Sequence, residues 1–348
     1  MSKSVIIGTG SFLPNEPITN NHLSEYFDLD PWILDNVGVQ SRFWSVGLDE
    51  EYRLKYTGYE MAAIASRKAI KMAQIEANDI DSIYLVTAQS DYVMPNSVVY
   101  VQEQLGISEC KTYEIHAACS GALQAVELAN NEILLGKSNN VLVCCFNLMS
   151  PTIFCELESN KEPSVSDMLN LSMFGDGASA IVISSDGEGG IIEEVQTNSV
   201  GFGEKPGMEL LGGGSVYPMS QKNLDKGLAK WRHDSNLILE KGTELSSKAV
   251  DDMVRLTNRG INEYDFIIFP QANPNTLKND IKILQKEYGV EPEKIFYTVD
   301  KTGNTSTSGL FIALDQLKNS NRIKPGNKVL IIGGEASKWM YGGVSIGW

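Results

Sequence analysis

The chain predicts an α/β fold assembled from two duplicated halves. Two observations point to it. The same order of strand, helix, strand, elbow, helix and strand occurs twice along the 348 residues, and the β-prone runs are continuous apolar stretches rather than strict alternations. Continuous runs suit strands buried on both faces with helices packed against them. Each copy also turns from strand into helix through small residues, A-A-C-S-G ending at Gly121 in the first and G-N-T-S ending at Ser306 in the second.

In the first half, VIIGTG reads as a strand, and a helix is expected from Tyr59 to Ala77 with Ala62, Ala65, Ala69, Met72 and Ala73 on one face. The strand YLVTA ends near Ala88, and the helix SVVYVQEQLG closes on Gly106. KTYEI is the next strand, the elbow opens a helix that stops at Gly136, and VLVCCF follows as a strand. SSDGEGG, at 184–190, breaks the pattern and divides the chain into halves 1–185 and 186–348. Gly201 to Gly214 reads as a surface or site-lining loop. In the second half a helix is expected from Ser247 to Asn258, then the strand FIIFP ending at Pro270 and a helix closing on Gly289. IFYTV reads as a strand, the second elbow opens the helix TSGLFIALDQLKNS, and VLIIGG begins at Val329.

Composition narrows the function classes. A formal charge of −15 with no basic run argues against nucleic-acid binding, which needs clustered cations. No apolar window has the length of a membrane span, and the first ten residues lack a signal-peptide pattern. Five cysteines without C-x-x-C spacing suggest neither a disulfide framework nor a metal site, so a reducing cytoplasm is expected.

Cys119 is the candidate nucleophile. The helix that follows it aims free N–H groups and a positive dipole end at the sulfur, which favours a thiolate and could hold an oxyanion. The competing reading is a small buried core residue, and that is the reading for Cys144 and Cys145 in their apolar strand. Asn304 stands at the equivalent point of the second elbow. Alone it reads as a helix cap. Paired with Cys119 by the duplication, its amide could hydrogen-bond a thioester carbonyl or an enolate.

Several motifs in order carry a resemblance over nearly the whole chain: I-I-G-T-G-S-F-L-P from Ile6, P-W-I from Pro31, M-P-N-S from Met94, A-A-C-S-G from Ala117, F-G-D-G-A from Phe174, Q-A-N from Gln271, and G-N-T-S followed by R-I-K-P-G. The sequence resembles the β-ketoacyl-acyl-carrier-protein synthase III group of the thiolase superfamily. The resemblance implies a five-layered αβαβα fold, a homodimer or a heterodimer with a homologue, and ping-pong acyl transfer through Cys119. The donor would be an acyl-CoA or acyl-carrier-protein thioester, with no permanent cofactor and no metal. It also implies substrate-binding roles for Trp32, which would stack on adenine, for Met94, which would reach the partner's acyl pocket, and for Phe174 at the turn beside the site. Met94 reads equally as a flexible core filler.

The sequence departs from that family at informative points. Pro270 occupies the place of the usual catalytic His before Q-A-N, and proline exchanges no proton. Asn36 and Met168 fall where phosphate-contacting arginines are expected, which favours a carrier-bound donor over free coenzyme A. Arg42, which remains, is read as a lone surface residue. Two auxiliaries come into view. His116 precedes Cys119 by three residues and is read first as a core or interface residue. Glu335, in G-G-E-A-S, is read first as a solvated loop residue and second as a base. His22 and His233 are read as surface residues. The expected function is acyl transfer in specialised metabolism without malonyl decarboxylation. The alternatives are a decarboxylating condensing enzyme with an unusual base and a supporting subunit of a heterodimer.

Overall fold

A computed structural model describes residues 3–48, 53–159 and 164–348. Its main sheet contains β1 (Val5–Phe12), β2 (Ser82–Thr87), β3 (Lys111–His116), β4 (Asn140–Asn147), β5 (Gly177–Ser184), β6 (Gly190–Ser199), β7 (Phe266–Ile268), β8 (Lys328–Glu335) and β9 (Met340–Gly347). Among the described residues, the helices that build its layers are α1 (Gly58–Ala73), α2 (Ser97–Leu105), α3 (Gly121–Leu134), α4 (Ser235–Thr257), α5 (Pro274–Tyr288) and α6 (Gly309–Asn319).

The strand order is β7-β8-β9-β6-β1-β5-β4-β2-β3. Outward from β1, the pairs β1/β5 and β5/β4 are antiparallel, whereas β4/β2 and β2/β3 are parallel. Outward from β6, the pairs β6/β9 and β9/β8 are likewise antiparallel and β8/β7 is parallel. The two runs meet through the β1/β6 contact at Val5 and Ile6.

Burial explains the layering. Leu123 and Val126 of α3 and Leu310, Phe311 and Leu314 of α6 share one core with Val86, Ile331 and Val344, so these two helices lie between strands of both halves. On one outer face Met61, Ala65 and Ala69 of α1 cover Leu85, Leu142 and Val182. On the other, Val250 and Met253 of α4 and Leu277 and Leu284 of α5 cover Ile267, Leu330 and Ile332. The fold is thus α/β in five layers, with α3 and α6 at the centre.

Three elements differ from expectation. IFYTV forms only an isolated parallel bridge, Ile295 to Ile267, before the chain turns helical at Val299. Its partner β7 is three residues long, and Pro270 just beyond it cannot donate to a ladder. Helix α4 begins at Ser235, twelve residues before the expected Ser247, capped by the Asp234 side chain on the Leu237 amide. Its early turns bury no residue fully and so lack the apolar stripe that reveals a helix. Helix α1 stops at Ala73 because Gln74 takes a left-handed conformation, and Met72 is partly exposed rather than buried.

Helix α1 packs unusually close to β1. A Cβ at Gly10 would stand 2.3 Å from the Ala65 carbonyl oxygen and 2.7 Å from the Ala69 amide nitrogen. Gly10→Ala must push backbone away from backbone, and a destabilisation of about 1–3 kcal/mol is expected. A lowered urea midpoint with unchanged slope is the readout, and an unshifted midpoint would contradict the close packing.

Candidate active site

The first elbow follows β3. Ala117 donates its amide to the Thr87 carbonyl at 3.2 Å, and Gly121 donates to the Ala118 carbonyl at 2.9 Å, which tightens the turn into α3. A Cβ at Gly121 would meet the Ala117 Cβ at 2.6 Å and the Val86 Cγ1 at 2.8 Å, so the turn needs glycine there. Cys119 is partly buried, with its sulfur 3.8 Å from the Ser306 hydroxyl of the second elbow.

The second elbow is fixed by its backbone. Gly303 has φ +68, and a Cβ there would clash with Arg42 Cβ at 2.9 Å. Asn304 donates its amide to the Met173 carbonyl at 2.8 Å and accepts the Gly175 amide at 3.0 Å, pairing as a bridge with Phe174. Its side-chain oxygen accepts the Ser306 amide at 2.8 Å. The side-chain nitrogen makes no hydrogen bond among the described residues and stays available as a donor in the cavity. Arg42 is fully buried rather than on the surface. It donates to the Ile18 carbonyl at 3.2 Å, the Asn20 side chain at 2.7 Å and the Ser172 carbonyl at 2.8 Å, and so braces the segment leading to Met173.

Cys119 and Asn304 line one cavity of about 210 Å³ together with Phe174, Pro270, Asn273, Asp280, Glu335 and His233. A second cavity of about 680 Å³ adjoins it, shares Ala118, Met208, Ser306 and Glu335, and runs past Tyr92, Val93 and Met149. Leu210 to Gly214, within the glycine-rich loop, also line this second space.

Glu335 is not a solvated loop residue. It ends β8 at 3% exposure, and its carboxylate accepts the Ala118 amide and the Ser120 hydroxyl, each at 3.1 Å, and the Ser337 hydroxyl through its other oxygen. A buried strand end carries it into the site, whereas a run of small residues in sequence looks like a loop. The thiol is likewise not activated at rest. Burial, and next the nearby Glu335 charge, push Cys119 up to about 11, so these outweigh the helix-start effect.

His116 is exposed rather than in the core. Its Nε2 lies 2.7 Å from the Ala88 carbonyl oxygen, and it lines the second cavity without lining the first. Phe174 is buried in the Cys119 cavity. Trp32, on the short helix Pro31–Val37, is 61% exposed and lines neither cavity. Met94 is 84% exposed, which removes the core-filler reading. In the Q-A-N segment, Gln271 ties its loop to the Phe269 carbonyl and the Thr298 amide, and Asn273 caps α5 through the Thr276 amide.

His233 was missed by the sequence. It is a cavity residue, only partly exposed, with its ring edge-on to Phe174 at 5.8 Å. No motif surrounds it. Its one available signal was its place directly before the Asp234 cap of α4, hidden because that helix was expected to start later.

Fold and cavity define a thiolase-like protein whose two elbows converge on a cysteine. Comparison with known proteins sharpens the class. The 3-oxoacyl-[acyl-carrier-protein (ACP)] synthase III profile matches residues 113–201, and its C-terminal counterpart matches residues 256–348. Beta-ketoacyl-[acyl-carrier-protein] synthase III 1 of Vibrio parahaemolyticus is 32% identical over 330 residues, covering 94% of each chain. Among solved structures, AbyA1, a tetronic acid condensing enzyme, superposes with TM-score 0.88 at 23% identity over 99% of this chain and 100% of the other. The 3-oxoacyl-[acyl-carrier-protein] synthase III of Aquifex aeolicus gives 0.82 at 24% identity, with coverage of 99% and 100%. The chain belongs to the β-ketoacyl-acyl-carrier-protein synthase III family, and is a transferase of that family.

The thiol's raised pKa sets a pH profile. Thiolate is scarce at neutral pH and grows as pH rises toward about 11, so iodoacetamide should label Cys119 roughly tenfold faster per pH unit between pH 8 and 10. Glu335→Gln removes the negative charge beside the sulfur while keeping an acceptor oxygen, and should speed labelling at pH 8. Unchanged or slower labelling would mean that the Glu335 charge does not reach the sulfur.

Proposed function

We propose that this chain loads an acyl group from a thioester onto Cys119 and transfers it to a second substrate without malonyl decarboxylation. The observation that carries the reading is the charge of the Cys119 cavity. It is lined by the carboxyl groups of Asp280 and Glu335 and by no Lys or Arg among the described residues. A malonyl carboxylate entering there would find no cation to pair with. Pro270, at the place where the family resemblance puts a His, removes a donor that would stabilise an enolate, and losing one such donor costs ~10²–10³ in rate. An amine, a hydroxyl or a stabilised carbanion is the fitting acceptor.

In this reading the Cys119 thiolate attacks the thioester carbonyl, the new C–S bond forms, and the donor thiol leaves. Asn304 offers its free amide nitrogen within the cavity. The 680 Å³ space adjoins the Cys119 cavity through Ala118 and Ser306 and suits the acyl chain. Trp32 would serve the donor's adenine, although a carrier-protein donor fits better where Asn36 and Met168 replace cations. Met94 would act in the partner's pocket of a homodimer or a heterodimer with a homologue, and its exposure leaves it free to do so. Activity in specialised metabolism and a cytoplasmic location belong to the same proposal. Among the described residues, no helix is long and apolar enough to cross a membrane, and no group of His, Cys, Asp or Glu is placed to hold a metal.

Decarboxylative condensation is the second reading, favoured by the 32% identical relative whose name is that of a β-ketoacyl-[acyl-carrier-protein] synthase. Intact-protein mass spectrometry after mixing with acetyl and longer acyl thioesters tests the shared first step. An acyl adduct is expected on the wild type and none on Cys119→Ala, and no adduct on the wild type would defeat both readings. Carbon dioxide release from malonyl-CoA or a malonyl carrier protein separates them: none is expected, and sustained release would establish the second reading.

A further inference from the structure

An acceptor that keeps all its carbon must lose a proton, unlike a malonyl thioester, which makes its own carbanion by losing carbon dioxide. The transfer step therefore needs a base, and three side chains in the Cys119 cavity are candidates. Glu335 already accepts three hydrogen bonds. Asp280 accepts the Thr243 hydroxyl at 2.8 Å and stands on α5 about two turns beyond Asn273. His233 is different. Its Nε2 is buried without a hydrogen-bond partner, and no described protein group engages its other ring nitrogen. Buried polar atoms are ordinarily satisfied, and an orphan in a cavity beside a nucleophile asks for a ligand.

The backbone around His233 is held firmly. It pairs with Met208 in the two-residue ribbon between Met208–Glu209 and Arg232–His233. Asp234 donates its amide to the Gly207 carbonyl at 2.8 Å and caps α4 with its side chain. The imidazole is thus set on a rigid frame against Phe174, which itself bridges to Asn304.

We propose that His233 is the catalytic base of the transfer step, taking the proton of an acceptor hydroxyl or amine as that atom attacks the acyl carbon on Cys119. The proposal rests on the acyl-Cys119 reading. The acceptor O–H or N–H bond breaks and its proton moves to a ring nitrogen. The oxygen or nitrogen bonds to the carbonyl carbon, and the tetrahedral oxyanion collapses. The C–S bond then breaks, and the departing sulfur takes the proton back from the imidazolium, restoring thiol and neutral His233. The return matters because a thiol pushed up to about 11 leaves poorly as a bare thiolate. Burial lowers His233 to about 4, so the ring is neutral at pH 7 with a lone pair to offer.

The test uses the full chain with Cys119 loaded from an acetyl thioester and freed of excess donor. Discharge of the acetyl adduct is followed by mass in water and in added glycerol. Wild type, His233→Ala and His233→Phe are each loaded until occupancy no longer rises, and both loaded variants should discharge ~100-fold more slowly than loaded wild type. His233→Phe keeps a ring against Phe174 and guards against collapse of the cavity. Added imidazole should restore discharge in His233→Ala, which leaves room for it, and not in His233→Phe. Loaded wild type that discharges no faster than His233→Phe overturns the assignment. So does slow discharge of His233→Ala that imidazole leaves unchanged, and so does failure of both variants to load, which would put His233 in the first step. A wild type that takes no adduct defeats the Cys119 reading itself, and this proposal with it.

Discussion

Glu335 ends β8 inside the cavity, and its carboxylate accepts the Ala118 amide and the Ser120 hydroxyl on either side of Cys119. The Cys119 elbow, built by the first half of the chain, is thereby tied to the sheet of the second. Hydrogen bonds to a charged group contribute about 1.5–3 kcal/mol each, enough to fix the elbow against thermal motion. Burial first, and then this same charge, push the thiol up. One side chain therefore holds the elbow that carries the sulfur and adds to the burial that makes the thiol reluctant to ionise. Everything else in the site is arranged around that fixed point: Asn304 by its backbone bridge to Phe174, and His233 by its ribbon and the cap of α4.

The duplicated fold was legible because its signals are local. Continuous apolar runs marked the strands, and small residues marked both turns into the central helices, α3 and α6. Those signals failed where tertiary context decides. IFYTV has strand composition, but its neighbour β7 is too short to pair it fully. The first turns of α4 face a cavity rather than a core, so no apolar stripe announced them. The site followed the same division. Cys119 and Asn304 lie on elbows and were readable, whereas burial of Glu335 and of His233 depends on elements far apart in sequence. His116, near Cys119 in sequence, is exposed and engaged by Ala88.

The chemistry of the cavity is a matter of what faces the sulfur. Two carboxyl groups, an unengaged amide and an unpartnered imidazole surround it, without a Lys or Arg among the described lining residues. On the proposed reading, such a lining disfavours an anionic acceptor and supplies a group for proton transfer.

The most direct measurement is a crystal structure of the full chain with an acyl group on Cys119, since it places all the reacting atoms at once. An acyl thioester is expected on Cys119, with the chain running toward Tyr92 and Val93. Asn304 and His233 should keep their polar nitrogens turned to the open face of the carbonyl, within about 3–4 Å of the site where an acceptor atom would sit. An acyl group bonded elsewhere, or a His233 ring turned away to hydrogen-bond with protein while Cys119 is loaded, would contradict this arrangement.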